Sequence, residues 1–436
     1  MTATSTKRLL ISKSLSWIVA LAASQACTAS AEYLFSGSFE GRAAWHSNAP
    51  GSPASDHFTL TATQSADLSS NWSMLLGFRA WGETIYGSHP DIYPSDVAAA
   101  DSSEIKIRDA YLQYKGGHLF LRIGNQQVVW GEAFGFLFSD IINPKDLREG
   151  GFGDASEVRM QSPILNAKLV FSRASLQLIY VARPFFNLLP LPGSDFAYPF
   201  TSGTNFTTVR IRREQTLPTL TTGIAEYGGK LNVLLGQLDL SGYYFYYFDR
   251  NPFYRVNPLT DTQTLVLEED HSRVDTTGLT ATYEMAGAII RMEGLRTFGR
   301  YLPLITQAGA SRVTSDETIG VLGFDFPTFK NINFGLQWSR SDLSRVAPGL
   351  LRAKTQSLAS AHLHFSHSKG NALDLVYSKD TLDQGQQYRL DYLVPLSPQI
   401  EMHLGAEILS GPELSEFGKL RRASRFFITL KSFFRG

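Results

Sequence analysis

From Tyr33 to the C-terminus the chain repeats one local pattern, short stretches of alternating apolar and polar residues separated by polar, Gly- or Pro-containing breaks. A period of two is what a strand with two unlike faces requires. Phe35, Gly37, Phe39, Gly41, Ala43 and Trp45 share one face, and Ser36, Ser38, Glu40 and Arg42 share the other. The same alternation recurs at Phe58, Leu60 and Ala62 against Thr59, Thr61 and Thr63, at Leu238 to Phe248, at Ile332 to Ser339 and at Ile400 to Ile408. Counting gives about 18 such segments, from 33–45 to 421–434, or about 16 if doubtful ones around 157–172 and 207–235 merge.

The breaks alternate in length. Short ones fall at 67–71, 115–117, 328–331, 368–370 and 397–398, and long ones at 87–103, 131–156, 184–219, 249–270 and 301–315. Tight turns at one rim and longer loops at the other are the mark of a transmembrane antiparallel β-barrel, so the fold class is all-β, with short periplasmic turns and longer extracellular loops. A soluble sandwich would place a second sheet against the apolar face, and a propeller would repeat at a fixed period that this chain lacks. Tyr244, Tyr246 and Phe248 gather just before Asp249-Arg250-Asn251-Pro252, as an interfacial girdle does. In lipid every backbone group must be paired, so the first strand is expected to pair with the last. Asp374, Arg389, Asp391, Glu401, Glu407 and Lys431 all alternate to the lumen side, and their mixed signs argue against a pore for strongly anionic or strongly cationic solutes.

Residues 1–31 have the form of a cleavable signal peptide: Lys7, Arg8 and Lys13, then an apolar stretch from Leu15 to Ala26, then Ala29-Ser30-Ala31 before Glu32. The apolar stretch is short of the about 20 residues of a helical span. The expected division is therefore a signal peptide, 1–31, and an outer-membrane barrel, 32–436, with loop 131–156 folding inward. The only cysteine is Cys27, so the mature chain has no disulfide framework. A lipoprotein reading would acylate Cys27, but Ser24-Gln25-Ala26 is a poor lead-in. Cleavage removes three of 40 basic residues and none of the 40 acidic ones. That balance gives no footprint for nucleic acid. Expected partners are outer-membrane lipid and, through the aromatic end of the C-terminal strand at Phe434, the barrel-assembly machinery.

One long connection is apolar. After the alternating Leu119–Gly124 the period is abandoned, Phe134, Phe136, Leu137, Phe138, Ile141 and Ile142 crowd together, and Asn143-Pro144-Lys145-Asp146 closes the run with turn residues. A loose apolar loop seeks something to bury against, and the hollow of the barrel is the nearest place. The candidate constriction comprises Trp130, Glu132, Phe134, Phe136, Phe138, Asp140, Asn143, Pro144, Asp146 and Arg148. The alternative is a plug whose Asp and Asn satisfy backbone N–H groups.

Gly124-Asn-Gln-Gln-Val-Val-Trp-Gly-Glu-Ala, followed by Asp140-Ile-Ile-Asn-Pro-Lys-Asp-Leu-Arg-Glu, resembles the Trp-Gly-Glu and Asn-Pro-x-Asp signature of a large outer-membrane family of unknown function. Glu226-Tyr-Gly-Gly-Lys-Leu, Asp239 to Tyr246, Asp249-Arg-Asn-Pro and His271 to Gly278 resemble it too. Members are porin-like and often encoded near resistance-nodulation-division exporters, so the resemblance implies an exporter partner and hydrophobic or lipid-like cargo.

Candidate lumen-lining residues are Tyr243, Phe245, Tyr247, His362, His364, Arg389 and Asp391. The three aromatics suit a greasy slide or the packing of an inward loop. His362 and His364 share a face, but a metal site needs three or four convergent ligands, and polar lining is the preferred reading. No Ser/His/Asp or paired-carboxylate spacing is diagnostic, so neither an enzyme nor a cofactor is expected. The functional expectation is a porin-like channel for small or hydrophobic molecules. The alternatives are a non-transporting structural or docking barrel and a barrel hydrolase.

Overall fold

The computed structural model describes residues 33–49, 51–131, 139–151, 154–197, 206–212, 222–257, 260–261, 263–307, 309–367, 370–413 and 415–436. The expected signal peptide, 1–31, lies outside the described residues.

The strands, in order, are β1 (Tyr33–His46), β2 (Pro53–Asp67), β3 (Trp72–Glu83), β4 (Ser103–Gly116), β5 (Leu119–Gln126), β6 (Ser162–Val170) and β7 (Ala174–Val181). Then come β8 (Thr208–Arg212), β9 (Glu226–Leu235), β10 (Leu238–Phe248), β11 (Phe253–Val256), β12 (Thr264–Asp270), β13 (Arg273–Met285) and β14 (Ala288–Thr306). The last are β15 (Gly309–Asp325), β16 (Ile332–Leu343), β17 (Thr355–Ser366), β18 (Ala372–Asp380), β19 (Gln386–Ser397), β20 (Ile400–Ser410) and β21 (Arg425–Arg435).

All but β8, β11 and β12 form one 18-stranded antiparallel sheet. β1 pairs with β2 on one side and with β21 on the other, so the sheet closes on itself. Closure leaves no bare edge of N–H and C=O groups, which the hydrocarbon of a membrane would not tolerate. The 16-strand alternative does not hold.

The alternation sorts side chains as a membrane wall requires. Phe39, Phe58, Leu165, Trp338 and Ile428 are exposed, whereas their chain neighbours Ser38, Thr59, Asn166, Ser339 and Thr429 are buried. Leu279 is 70% exposed beside Thr280 at 4%. An apolar exterior around a polar interior is the reverse of a water-soluble fold, and it fits a barrel immersed in lipid. Among the described residues no helix is long and apolar enough to cross a membrane.

Tight connections at 68–71, 117–118, 171–173, 236–237, 286–287 and 398–399 fall at the same rim as both chain ends. Ala286 and Gly287 both have positive φ, 51° and 81°. Two such residues make the turn whose twist matches the strands it joins. By the rule of outer-membrane barrels this rim faces the periplasm.

Three sequence expectations need correction. Residues 301–315 are not a loop: β14 and β15 run past the bulge at Thr297/Arg300 and keep pairing to Thr306↔Gly309. Their outer ends are apolar because they pack on a small rim sheet, in which Val209, Tyr254, Leu265, Leu267 and Ile305 form a buried cluster. That sheet, β11-β12-β8, occupies parts of the stretches 184–219 and 249–270 that the sequence suggested were plain connections. The segment expected at 157–172 begins as a helical turn, Ala155–Val158, and becomes strand only at Ser162.

Candidate functional site

A barrel of 16–18 strands is too wide for wall side chains alone to fill. Here the connection between β5 and β6 enters that space. Its root is built like a protein core. Trp130 is 1% exposed, and its ring lies 5.4 Å from Tyr243 and 5.9 Å from Phe245. Its indole Nε1 donates to Gln177 Oε1 at 3.0 Å, so the one polar atom of the ring is satisfied. Asn143 is wholly buried and zips the two legs of the loop: it accepts from Val128 N at 3.0 Å and donates to Val128 O at 2.7 Å and Asp140 Oδ1 at 3.0 Å. Asp140 is ion-paired with Arg159, and Lys145 Nζ donates to the Asp140 carbonyl at 2.9 Å. The Pro144 carbonyl accepts from Met160 N at 2.8 Å.

Beneath the root lies a buried ion pair. Arg250 Nη1 and Nη2 donate to Glu226 at 2.8 and 2.6 Å, with Glu226 fully buried. The same guanidinium donates to the carbonyls of Ile142 at 2.8 Å and Phe185 at 3.2 Å, so one side chain just past the end of β10 holds both this loop and the connection after β7. His271 stacks on Phe186 at 3.5 Å and places Nδ1 2.8 Å from the Asp249 carbonyl. Burial pushes its pKa down to about 4, so the ring is neutral.

The tip is held by charge. Arg148 donates to Asp146 at 2.8 Å and Glu104 at 3.0 Å, lies 3.3 Å from Asp101, and stands over the Trp81 ring at 4.9 Å. Burial opposes both charges, but the pairing lowers the Asp146 carboxyl and raises the Arg148 guanidinium. Glu149 meets Arg42 of β1 at 2.6 Å and Arg425 of β21 at 3.0 Å. Burial pushes its carboxyl up, yet Arg42 and Arg425 prevail and hold it well below the usual carboxylate range. On the return leg Glu157 meets Arg79 at 3.1 Å and Arg108 at 2.9 Å. The loop therefore runs from the β9–β10 wall to the β1–β21 wall and back, dividing the lumen.

Among the expected constriction residues, Trp130, Asp140, Asn143 and Pro144 come together at the root, and Asp146 and Arg148 at the tip. Glu132, Phe134, Phe136 and Phe138 lie outside the described residues. Tyr243, Phe245 and Tyr247 point inward at 6%, 0% and 4% exposure. Trp130 covers Tyr243 and Phe245, so those two form the floor of the loop rather than an open slide. His364 and His362 lie 2.8 and 3.4 Å from Asp374, and His403 lies 2.9 Å from Asp391, all on the other wall. Arg389 stands opposite Glu407 in register. Among the described residues no group of three His, Cys, Asp or Glu could hold a metal ion. Sequence reasoning gave no role to Glu149, Arg159, Glu226 or Arg250. The signal that could have found three of them was their position in the motifs carrying the family resemblance, at 140–149, 226–231 and 249–252.

Solved structures share this architecture. The outer membrane protein opdK from Pseudomonas aeruginosa superposes with a TM-score of 0.51 at 7% identity, covering 93% of this chain and 99% of that one. Acinetobacter baumannii OccAB3 does so at 0.50 and 11% identity, covering 94% of this chain and 100% of that one. At such identity the likeness is one of fold. No curated protein matches the sequence. The family described as "Protein of unknown function (DUF1302)" matches residues 54–369, most of the barrel, and the chain belongs to that family.

Proposed function

We propose that this protein is a porin-like channel of the outer membrane, and that the loop after β5 sets the width of its path. The observation that carries the reading is Glu149, which reaches across the lumen to bridge Arg42 and Arg425. Glu149 keeps 42% of its side chain exposed, so water reaches the pairs that fasten the loop tip. Planar-bilayer conductance tests it. Steps from the purified barrel that grow in Glu149→Gln support the reading, and a barrel that inserts but never conducts, in either form, sinks it.

The cargo is small and apolar or lipid-like. This finer reading is supported by Phe134, Phe136 and Phe138 in the sequence and by the family resemblance, which also suggests cooperation with an exporter of the resistance-nodulation-division class. A strain lacking this protein should lose uptake or release of such a solute. The barrel is taken as a channel rather than an enzyme, made with a signal peptide cleaved before Glu32 and inserted by the barrel-assembly machinery. Mass spectrometry of the mature N-terminus tests the cleavage. The density of contacts around the loop favours a second reading, a docking barrel that does not transport, for which capture of a stable partner complex without flux would speak.

A further inference from the structure

Most charges facing the lumen are neutralised by a neighbour. Arg42, Arg79, Lys106, Arg108, Arg291 and Arg425 each have a carboxylate partner. On the β17–β21 wall Asp374 is met by two histidines, Asp391 by His403, and Glu40 by Lys431. One stretch of wall differs. Lys115 of β4, Arg122 of β5 and Lys168 of β6 have no ion-pair partner among the described residues. Leu112, Ile123, Leu165 and Leu169 face outward, so the alternation turns these three cations inward.

The register places them together. Lys115, Phe120 and Lys168 occupy one row across three strands, and Arg122 lies one step further from the periplasmic rim, opposite Gln113 and Asn166. Diagonal neighbours in such a sheet have their Cα atoms about 7–8 Å apart. The Arg122 guanidinium lies over Tyr111 at 4.1 Å and Phe120 at 5.3 Å, and it donates to Gln113 at 2.7 Å. Its Nε–H is buried with no acceptor. The acids of β4 are engaged elsewhere, Glu104 with Lys106 and Arg148 and Asp109 with Gln161, and so are two on the nearby β9 and β10, Glu226 with Arg250 and Asp239 with Asn232. Three like charges beside one another, one with an unsatisfied buried donor, repel, and an anion set among them offsets that repulsion and accepts from the donor.

We propose that this wall, at the periplasmic side of the lumen below the inward loop, binds the anionic head of a small amphiphile. Arg122 and Lys168 hold a carboxylate or phosphate, Lys115 adds to the field, and Phe120 and Tyr111 take the apolar body. The guanidinium offers a planar fork suited to two oxygens, and the rings beneath it keep that fork in place. A polar chain links the site to the loop: Trp130 donates to Gln177 at 3.0 Å, and Gln177 donates to Asn166 at 2.9 Å, the residue opposite Arg122. The inference deepens the channel reading by naming a cargo class, and it rests on that reading only for passage of the bound molecule through the barrel.

Calorimetric titration of the full refolded barrel in uncharged detergent with hexanoate, hexyl phosphate, hexanol and hexylammonium tests it. One or both anions should bind at least about tenfold tighter than hexanol or hexylammonium, and the tighter of the two distinguishes a carboxylate from a phosphate site. Arg122→Gln and Lys168→Gln should each weaken the anion about tenfold, Lys168→Arg, which keeps the charge, binds within about threefold of the parent, and Arg122→Lys, which keeps the charge but loses the fork, falls between the parent and Arg122→Gln. Equal affinity for all four probes, or full affinity in the folded Gln variants, overturns the inference. A conducting barrel without anion preference sinks the site and leaves the channel. A barrel that binds hexanoate through Arg122 but never conducts sinks the channel and leaves the site.

Discussion

The inward loop is fastened at two places, and the fastenings differ in kind. At its root Trp130 and Asn143 are almost fully buried, packed on Tyr243 and Phe245 and backed by the Arg250–Glu226 pair. At its tip Glu149 is held by two arginines while 42% of its side chain stays exposed. The root has the burial of a domain core, and Trp130 and Asn143 have their polar atoms satisfied within it, so moving it would expose packed rings and break buried hydrogen bonds. The tip is held by charge with little apolar cover, and water reaches its Glu149 carboxylate, so its fastening answers to charge and salt as the root does not. A loop packed at one end and held by charge at the other is suited to altering an opening without altering the barrel.

Four experiments bear on that contrast. The largest effect is expected from Glu226→Gln, which leaves Arg250 as a buried charge without its ion-pair partner. Unfolding in urea should show a loss of about 3–5 kcal/mol, and replacing both residues with Leu and Met should recover much of it. Equal stability of the single variant would break the view of the root as a core. Trp130→Ala should cost about 3 kcal/mol by opening a cavity against Tyr243 and Phe245. A loss as small as that of a surface substitution would instead mean that the loop root lies loose.

The third experiment uses pH. His271 is held at about 4 by burial, below its ordinary value, so the folded state binds its proton more weakly than the unfolded state. Its contribution is complete above about pH 6.5 and is lost as pH falls toward 4. Urea midpoints at neutral and mildly acidic pH should therefore separate, and His271→Gln should narrow the gap. The smallest effect on stability, about 1–2 kcal/mol, is expected for Glu149→Gln, which leaves Arg42 and Arg425 one carboxylate fewer, and that change should raise conductance. Because its carboxyl is held low, conductance of the parent protein should stay level from about pH 8 to pH 5 and change only in stronger acid. A rise in conductance near neutral pH would show that Glu149 is not the fastening.

The wall was legible because a period of two survives in nearly every strand. The rule failed where strands leave the membrane. In 301–306 Leu302 and Leu304 on one face and Ile305 on the other are all buried, Ile305 within the rim-sheet cluster, so both faces are apolar and the strand resembles an irregular segment. The rim sheet itself was hidden, since β8 and β12 pair across more than fifty residues and no local pattern records that. For the site, Trp130 drew attention through the Trp-Gly-Glu signature and Asn143 through the Asn-Pro-x-Asp turn. Glu226 and Arg250 did not, because a buried ion pair is written as two ordinary charges whose meeting depends on register between β9 and β10.

The partners of Glu149 carry a consequence for how the molecule is made. Arg42 lies on the first strand and Arg425 on the last, and these strands meet only when the cylinder shuts. In any open-sheet precursor the docking place of the loop tip is two half-sites a whole circumference apart. Arg148 can meet Asp101 and Glu104 beforehand, but Glu149 gains both its partners only after the ends of the sheet have joined, which makes that bridge a late step of biogenesis. An unfinished barrel is one that still lacks the Glu149 bridge between its two ends.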